Sequence, residues 1–240
     1  MTLFACRQRC SPFPSPSTVH RPTSNWASTL LAAVALAILT PAARAADGAV
    51  QCANLIYGGV NTSRCFSDEF LSGVQRSTSI ATERRFKSVK LGSDELFRFP
   101  FVVMTGESDF RLTRQERENL KRYLTSGGFL LASAGCSSKE WDKAFRRELR
   151  QALEDRKLDP IALTHPIFKT VKEITSLKLS HSSGESHLEG LTHDGKIVLV
   201  YSPDGLNDTA HTEGCCCCGG NEIVNAMDVN VNILVYALLH

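Results

Sequence analysis

Two apolar runs of the same kind stand in the middle of the chain. "FVVMTG" (Phe101–Gly106) and "FLLAS" (Phe129–Ser133) are continuous rather than alternating. Such runs predict strands covered on both faces, as in parallel sheets. Between them the period changes. Leu120, Tyr123 and Leu124 recur at helical spacing, Thr113 and Glu116 form a T-x-x-E capping box ahead of them, and Gly127–Gly128 provide the stop. The loop "AGCSS" then leads into a helix around Trp141–Leu153. Strand, helix, strand, helix with short glycine-bearing joints predicts a parallel α/β sheet.

Flanking segments extend this unit. "NLIYGG" (Asn54–Gly59) reads as a first strand ending on glycines, and Ser67 as the N-cap of a helix carrying Phe70, Leu71 and Val74. "RFKSVKL" (Arg85–Leu91) alternates imperfectly and is taken as a strand; Ser93 caps a short turn that Pro100 ends. Later, "HPIF" (His165–Phe168) opens a turn or short helix, and "SLKLS" (Ser176–Ser180) and "SHLEGL" (Ser186–Leu191) read as strands. Asp194–Gly195 signals a hairpin into "KIVLVYS" (Lys196–Ser202). A last helix runs from about Glu222 to Leu239, with Ile223, Met227, Val231, Leu234, Val235 and Leu238 on its apolar stripe and Asn225, Asn230 and Asn232 on or beside its wet side. No repeat or interdomain linker interrupts the pattern.

The first 45 residues read differently. Arg7, Arg9 and Arg21 precede the apolar run "WASTLLAAVALAIL" (Trp26–Leu39), then Pro41 and "AARA", with Ala43 and Ala45 at small-residue cleavage positions. This describes a secretory signal peptide over 1–45 and one domain over 46–240. The expected location is periplasmic or secreted, the alternative being a single N-terminal membrane anchor. The four arginines before the cut take the basic excess with them, leaving 23 basic against 25 acidic residues. No nucleic-acid partner is expected. An exported chain permits disulfides, and an odd set of seven cysteines remains: Cys52, Cys65, Cys136 and Cys215 to Cys218.

Together, "FRFPFVVMTGESDFRLTRQERENLKRYLTSGGFLLASAGC", "HPIF" and the tail "CCCCGGNEIVNAMDVNVNILVYALLH" resemble a bacterial family catalogued as domain of unknown function 4159. The resemblance spans about Cys52 to His240. It implies a fold of the class I glutamine amidotransferase-like superfamily, a flavodoxin-like three-layer α/β sandwich with a mostly parallel sheet. It implies no established activity. Some members occur beside von Willebrand A-type and AAA-type ATPase proteins.

In amidotransferase-like folds the joint after such a strand holds a nucleophilic cysteine on a tight elbow, which makes Cys136 the candidate catalytic residue. The local text "SAGCSSK" departs from the G-x-C-x-G elbow, and His165, His181, His187, His193 and His211 are scattered. The alternative is a loop thiol beside a helix start.

The run Cys215, Cys216, Cys217 and Cys218 has a geometric limit. Adjacent Cα atoms lie about 3.8 Å apart, closer than the roughly 4.4–6.8 Å of an ordinary disulfide. Four successive thiolates do not readily surround one zinc, whose ligands are usually spaced. The cluster must therefore reach outward: to Cys52 and Cys65 in disulfides, to Cys52, Cys65, His211 or Glu213 around a zinc or copper ion, or into a mixed redox-active arrangement. Asp204, Asn207, Asp208, Glu213, Asn221, Glu222 and Asn225 crowd the same stretch, a candidate ligand-binding surface; any long surface loop has a similar composition. The leading expectation is an exported, non-catalytic binding or assembly module centred on residues 204–225, with another exported or membrane protein as partner. The alternatives are a cysteine-dependent hydrolase or amidotransferase-like enzyme using Cys136, and a thiol-based metal or redox protein.

Overall fold

A computed structural model of the chain describes residues 48–62, 68–154, 156–206 and 221–240. The first strand, β1 (Cys52–Tyr57), turns through Gly58 and Gly59, both at positive φ, into the two-residue β2 (Val60–Asn61). Helix α1 (Asp68–Ser77) buries Phe70, Leu71 and Val74 as their spacing requires; the expected cap Ser67 lies outside the described residues. β3 (Lys87–Lys90) buries Val89 alone. Ser93 then accepts the N–H of Glu95 and starts a 3₁₀ turn over Asp94–Arg98. The central unit follows as β4 (Phe101–Gly106), α2 (Arg114–Thr125), β5 (Phe129–Ala134) and α3 (Lys139–Ala152).

The capping box forms as its residues demand. Thr113 Oγ1 accepts from Glu116 N at 3.2 Å, and Glu116 Oε2 accepts from Thr113 N at 2.7 Å. The other oxygen of Glu116 accepts the N–H of Gly58 at 2.9 Å, so the cap also ties α2 to the turn after β1. At the far end of α2, Tyr123 donates to Phe99 O at 2.8 Å, and its ring lies where a side chain on Gly128 would stand. This contact is the physical reason for the glycine in "YLTSGGFLL".

The latter half contributes β6 (Asp159–Pro160), β7 (Glu189–His193), β8 (Lys196–Ser202) and α4 (Ala226–Leu239). Asp194 and Gly195, both at positive φ, make the expected two-residue hairpin between His193 and Lys196. Two expectations change. Residues 176–180 form isolated bridges, Lys178 to Glu185 and Leu179 to Ile223, rather than a strand. The last helix starts at Ala226, because Glu222 and Ile223 are extended and bridge Gly205 and Leu179.

The sheet runs β3-β1-β4-β5-β8-β7-β6, with β2 paired along the end of β1. From β3 to β8 neighbours are parallel; β7 and β6 join antiparallel at the edge. The architecture is thus α/β with a mostly parallel sheet covered on both faces. Alternate strand residues divide between two cores. Leu55, Met104, Leu130 and Leu199 pack with α2 and α3, whereas Phe101, Val103, Leu131 and Val200 pack with α1 and α4.

The expected wet side of the last helix is overturned. Asn230 and Asn232 are 0% and 1% exposed. Asn232 Oδ1 accepts the N–H groups of Val171 and Lys172 at 3.0 and 2.8 Å, and Asn230 donates to Leu206 O at 2.7 Å. With α1 and the turn Pro166–Phe168 both packed against it, α4 has little surface left for water, and these asparagines are internal clamps. Among the described residues no helix is long and apolar enough to cross a membrane.

Candidate functional site

Three neighbouring parallel strands end in hydroxyls. Thr105 of β4 stands in register with Ser133 of β5, and Ser133 with Ser202 of β8, and all three are 0% exposed. Strand alternation places them on the α1 and α4 side, one step beyond the apolar residues Val103, Leu131 and Val200. The core therefore turns polar at the carboxyl ends of the strands, the edge at which open α/β sheets bind ligands.

The β5–α3 joint rises from this edge. Cys136 (φ 51°, ψ 32°) and Ser137 (φ 54°) are consecutive non-glycine residues in the left-handed region, where Cβ crowds the backbone. Ser138 resumes ordinary geometry and caps α3, its Oγ accepting from Trp141 N at 3.3 Å while donating to Glu107 O. The Cys136 thiol donates to Glu107 Oε1 at 3.6 Å.

Ser137 carries the longest-range contacts of the joint. Its Oγ donates to Asp204 Oδ1 at 2.7 Å, has Asn221 O as a second acceptor at 2.9 Å, and accepts from Asn221 N at 3.2 Å. The other Asp204 oxygen accepts from Ser186 Oγ at 2.6 Å, while Asp204 N donates to Ser202 Oγ at 3.3 Å. One carboxylate thus joins the turn after β5, the approach to β7 and the loop after β8, and through Ser137 the approach to α4. The site is built from segments far apart in sequence.

A small cleft of about 230 Å³ opens beside the joint, lined by Tyr57, Val60, Gly106, Glu107, Asp109 and Trp141 among others. Its floor is fixed: Trp141 Nε1 donates to Tyr57 Oη at 2.8 Å, and Tyr57 donates to Thr105 O at 3.0 Å. A Cβ on Gly106 would come within 2.7 Å of that hydroxyl, so the strand end must be glycine for the pair to fit. Burial raises the Tyr57 hydroxyl to about 12, against a smaller opposing effect from Trp141, and keeps it protonated.

Of the residues nominated from sequence, Cys136, Asp204 and Asn221 meet here. Glu222 is beside them, its carboxylate filling the space that a side chain on Gly205 would need. Asn225 points elsewhere, donating to Ser176 O at 3.2 Å. Among the described residues, the buried Oδ1 atoms of Asn221 and Asn225 have no hydrogen-bond partner. Cys52 lies in the apolar core at the amino end of β1, 0% exposed, and burial pushes its thiol up to about 12. Cys65, Asn207, Asp208, His211, Glu213 and Cys215 to Cys218 lie outside the described residues. Among the described residues, no three His, Cys, Asp or Glu side chains converge in a way that would hold a metal ion.

Sequence reasoning missed Ser137, Ser186 and Glu107. Ser138, the N-cap of α3, carries a local signal, a hydroxyl one place before the helix, although the helix was expected only from about Trp141. Ser137 and Ser186 carry no local signal, since their meaning depends on Asp204, 67 and 18 residues away.

A search of curated proteins finds no match to this chain. Residues 51–238 match the model of a family described as Domain of unknown function (DUF4159), and their span takes in every described strand and nearly all of α4: the chain belongs to that family.

Proposed function

We propose that the chain is an exported binding module of flavodoxin-like, class I glutamine amidotransferase-like fold, with its ligand surface at the carboxyl ends of the parallel strands. The five parallel strands, numbered among themselves, follow the order 2-1-3-4-5 of the flavodoxin-like sheet, which supports the finer fold. Export is supported by the basic and apolar leader ending in "AARA", and by a family match that begins at residue 51, after that leader. The partner expected at this surface is another exported or membrane protein.

The observation that carries the binding reading is the convergence at Asp204. Four segments that share no secondary structure are held at one point on the ligand-binding edge of the sheet. Non-catalytic use is supported by the partner of Cys136. A neighbouring carboxylate disfavours the thiolate that a nucleophile needs, and the Cys136 thiol donates to that of Glu107. Ammonia release from glutamine by the purified protein tests this. The expected rate is the uncatalysed one, and release that disappears in Cys136→Ala would replace the binding module with an amidotransferase-like enzyme.

A thiol-based metal or redox role is the second reading, and one observation favours a particular form of it. Cys52 stands at the opposite end of β1 from the Asp204 cluster. Cys65 is therefore the proposed partner of the four-cysteine run, either in a disulfide or around zinc or copper. Intact mass with and without reductant, with elemental analysis, separates the two. A protein that holds no metal and gains no mass on reduction would remove both.

A further inference from the structure

The left-handed joint after β5 is held from outside. Cys136 and Ser137 both occupy a region that glycine enters freely and other residues avoid. Residues in such conformations persist only when their surroundings over-determine them. The surroundings here are specific: the Asp204 carboxylate and both backbone polar groups of Asn221 engage one atom, Ser137 Oγ. Asp204 in turn is fixed by Ser186 Oγ on its second oxygen and by Ser202 through its own N–H.

We infer that Asp204 is a positioning residue, a clamp that sets the β5–α3 joint in one of two backbone states. With Asp204 engaged, Ser137 is drawn toward the loop after β8 and Cys136 is aimed at Glu107. With Asp204 withdrawn, Ser137 loses its charge-assisted bond, the joint relaxes to right-handed or extended geometry, and Cys136 turns away from Glu107. A ligand that donates hydrogen bonds to the Asp204 oxygens, displacing Ser137, thereby changes the conformation on the far side of the site. Only this last consequence rests on the binding reading; the clamp is a property of the folded chain and is testable without a ligand.

Hydrogen exchange of the full chain, read by mass spectrometry on peptides spanning 134–140, tests the clamp. Asp204→Ala is expected to speed exchange there about tenfold, the factor carried by one charge-assisted hydrogen bond, while peptides of α2 stay as in the wild type. Adding Ser137→Gly to Asp204→Ala is the decisive step. Glycine enters the left-handed state without the Cβ penalty that Asp204 must otherwise offset, so protection is expected to return toward the wild-type level; a contact that merely packs the joint would loosen further. Ser186→Ala, which removes only the second arm of Asp204, is expected to give a smaller change in the same direction, and it serves if Asp204→Ala fails to fold. Unchanged exchange at 134–140 in the folded variants, or a further rise on adding Ser137→Gly, would overturn the clamp and leave the binding reading standing.

Discussion

Gly128→Ala is the sharpest test of why the strand-leading glycine pair is there. The added methyl would fall among the ring atoms of Tyr123. That ring has little freedom to move, being 2% exposed with its hydroxyl donating to Phe99 O at 2.8 Å and close to Phe129 O at 3.2 Å. Forcing extra volume into a packed core costs about 1–3 kcal/mol. Swinging the ring aside would also leave a buried hydroxyl unsatisfied, about another 1–3 kcal/mol. The expected destabilisation is therefore about 4 kcal/mol, or about 8–16 °C in Tm for a domain of this size. Urea unfolding followed by tryptophan fluorescence, with thermal melts alongside, would measure it. The same substitution in a Tyr123→Leu background removes the obstacle and should cost less than about 1 kcal/mol. The reasoning is refuted if Gly128→Ala lies within about 0.5 kcal/mol of the wild type, or costs the same in both backgrounds.

Three further outcomes follow from the same contacts. Arg146 reaches both oxygens of Glu189 at 2.7 Å and also Asp142; Arg146→Met should cost about 2–3 kcal/mol at neutral pH, below the full value for a buried pair because Arg146 keeps a third of its side chain exposed. Burial alone would raise the Glu189 carboxyl, but its bonds to Arg146 outweigh that and hold it below its usual range, so this stability is present above about pH 4.3, and the gap between variant and wild type should close as acid protonates Glu189. His165 is held below its usual range by burial, with His240 adding to the effect, and its neutral Nδ1 accepts the N–H of Ile167 at 3.2 Å; that contribution is present above about pH 6.5 and is lost on acidification, so Tm should fall less between pH 7 and 5 in His165→Asn than in the wild type. Cys52, with its thiol near 12, should resist alkylation at pH 8 in the folded protein and react on unfolding; rapid native labelling of its peptide would contradict its place in the core.

Much of the fold was legible because its signals are local. The capping box, the Asp194–Gly195 hairpin and the apolar runs of β4, β5 and β8 each depend on residues within one turn or strand of one another. β6 was invisible because two exposed residues, Asp159 and Pro160, carry no pattern and become a strand only by pairing with β7. Residues 176–180 misled for the converse reason: a good alternating pattern found only single-residue bridges. Of the residues gathered around the β5–α3 joint, Asp204, Asn221 and Cys136 were nominated by composition and by their place at strand ends, whereas Ser137 and Ser186 were not.

By itself the sequence determined the α/β class, the succession of the main elements and the family. Those follow from periodicity and from residues that act on near neighbours. The tertiary structure decided which polar residues matter. It buried Asn230 and Asn232 as clamps, put Cys52 in the core, and made Asp204 the meeting point of two serines it cannot reach along the chain. A hydroxyl or a carboxylate has the same local signature in a solvated loop as in a site. Only the packing of distant strands and helices removes water from one and supplies its partner.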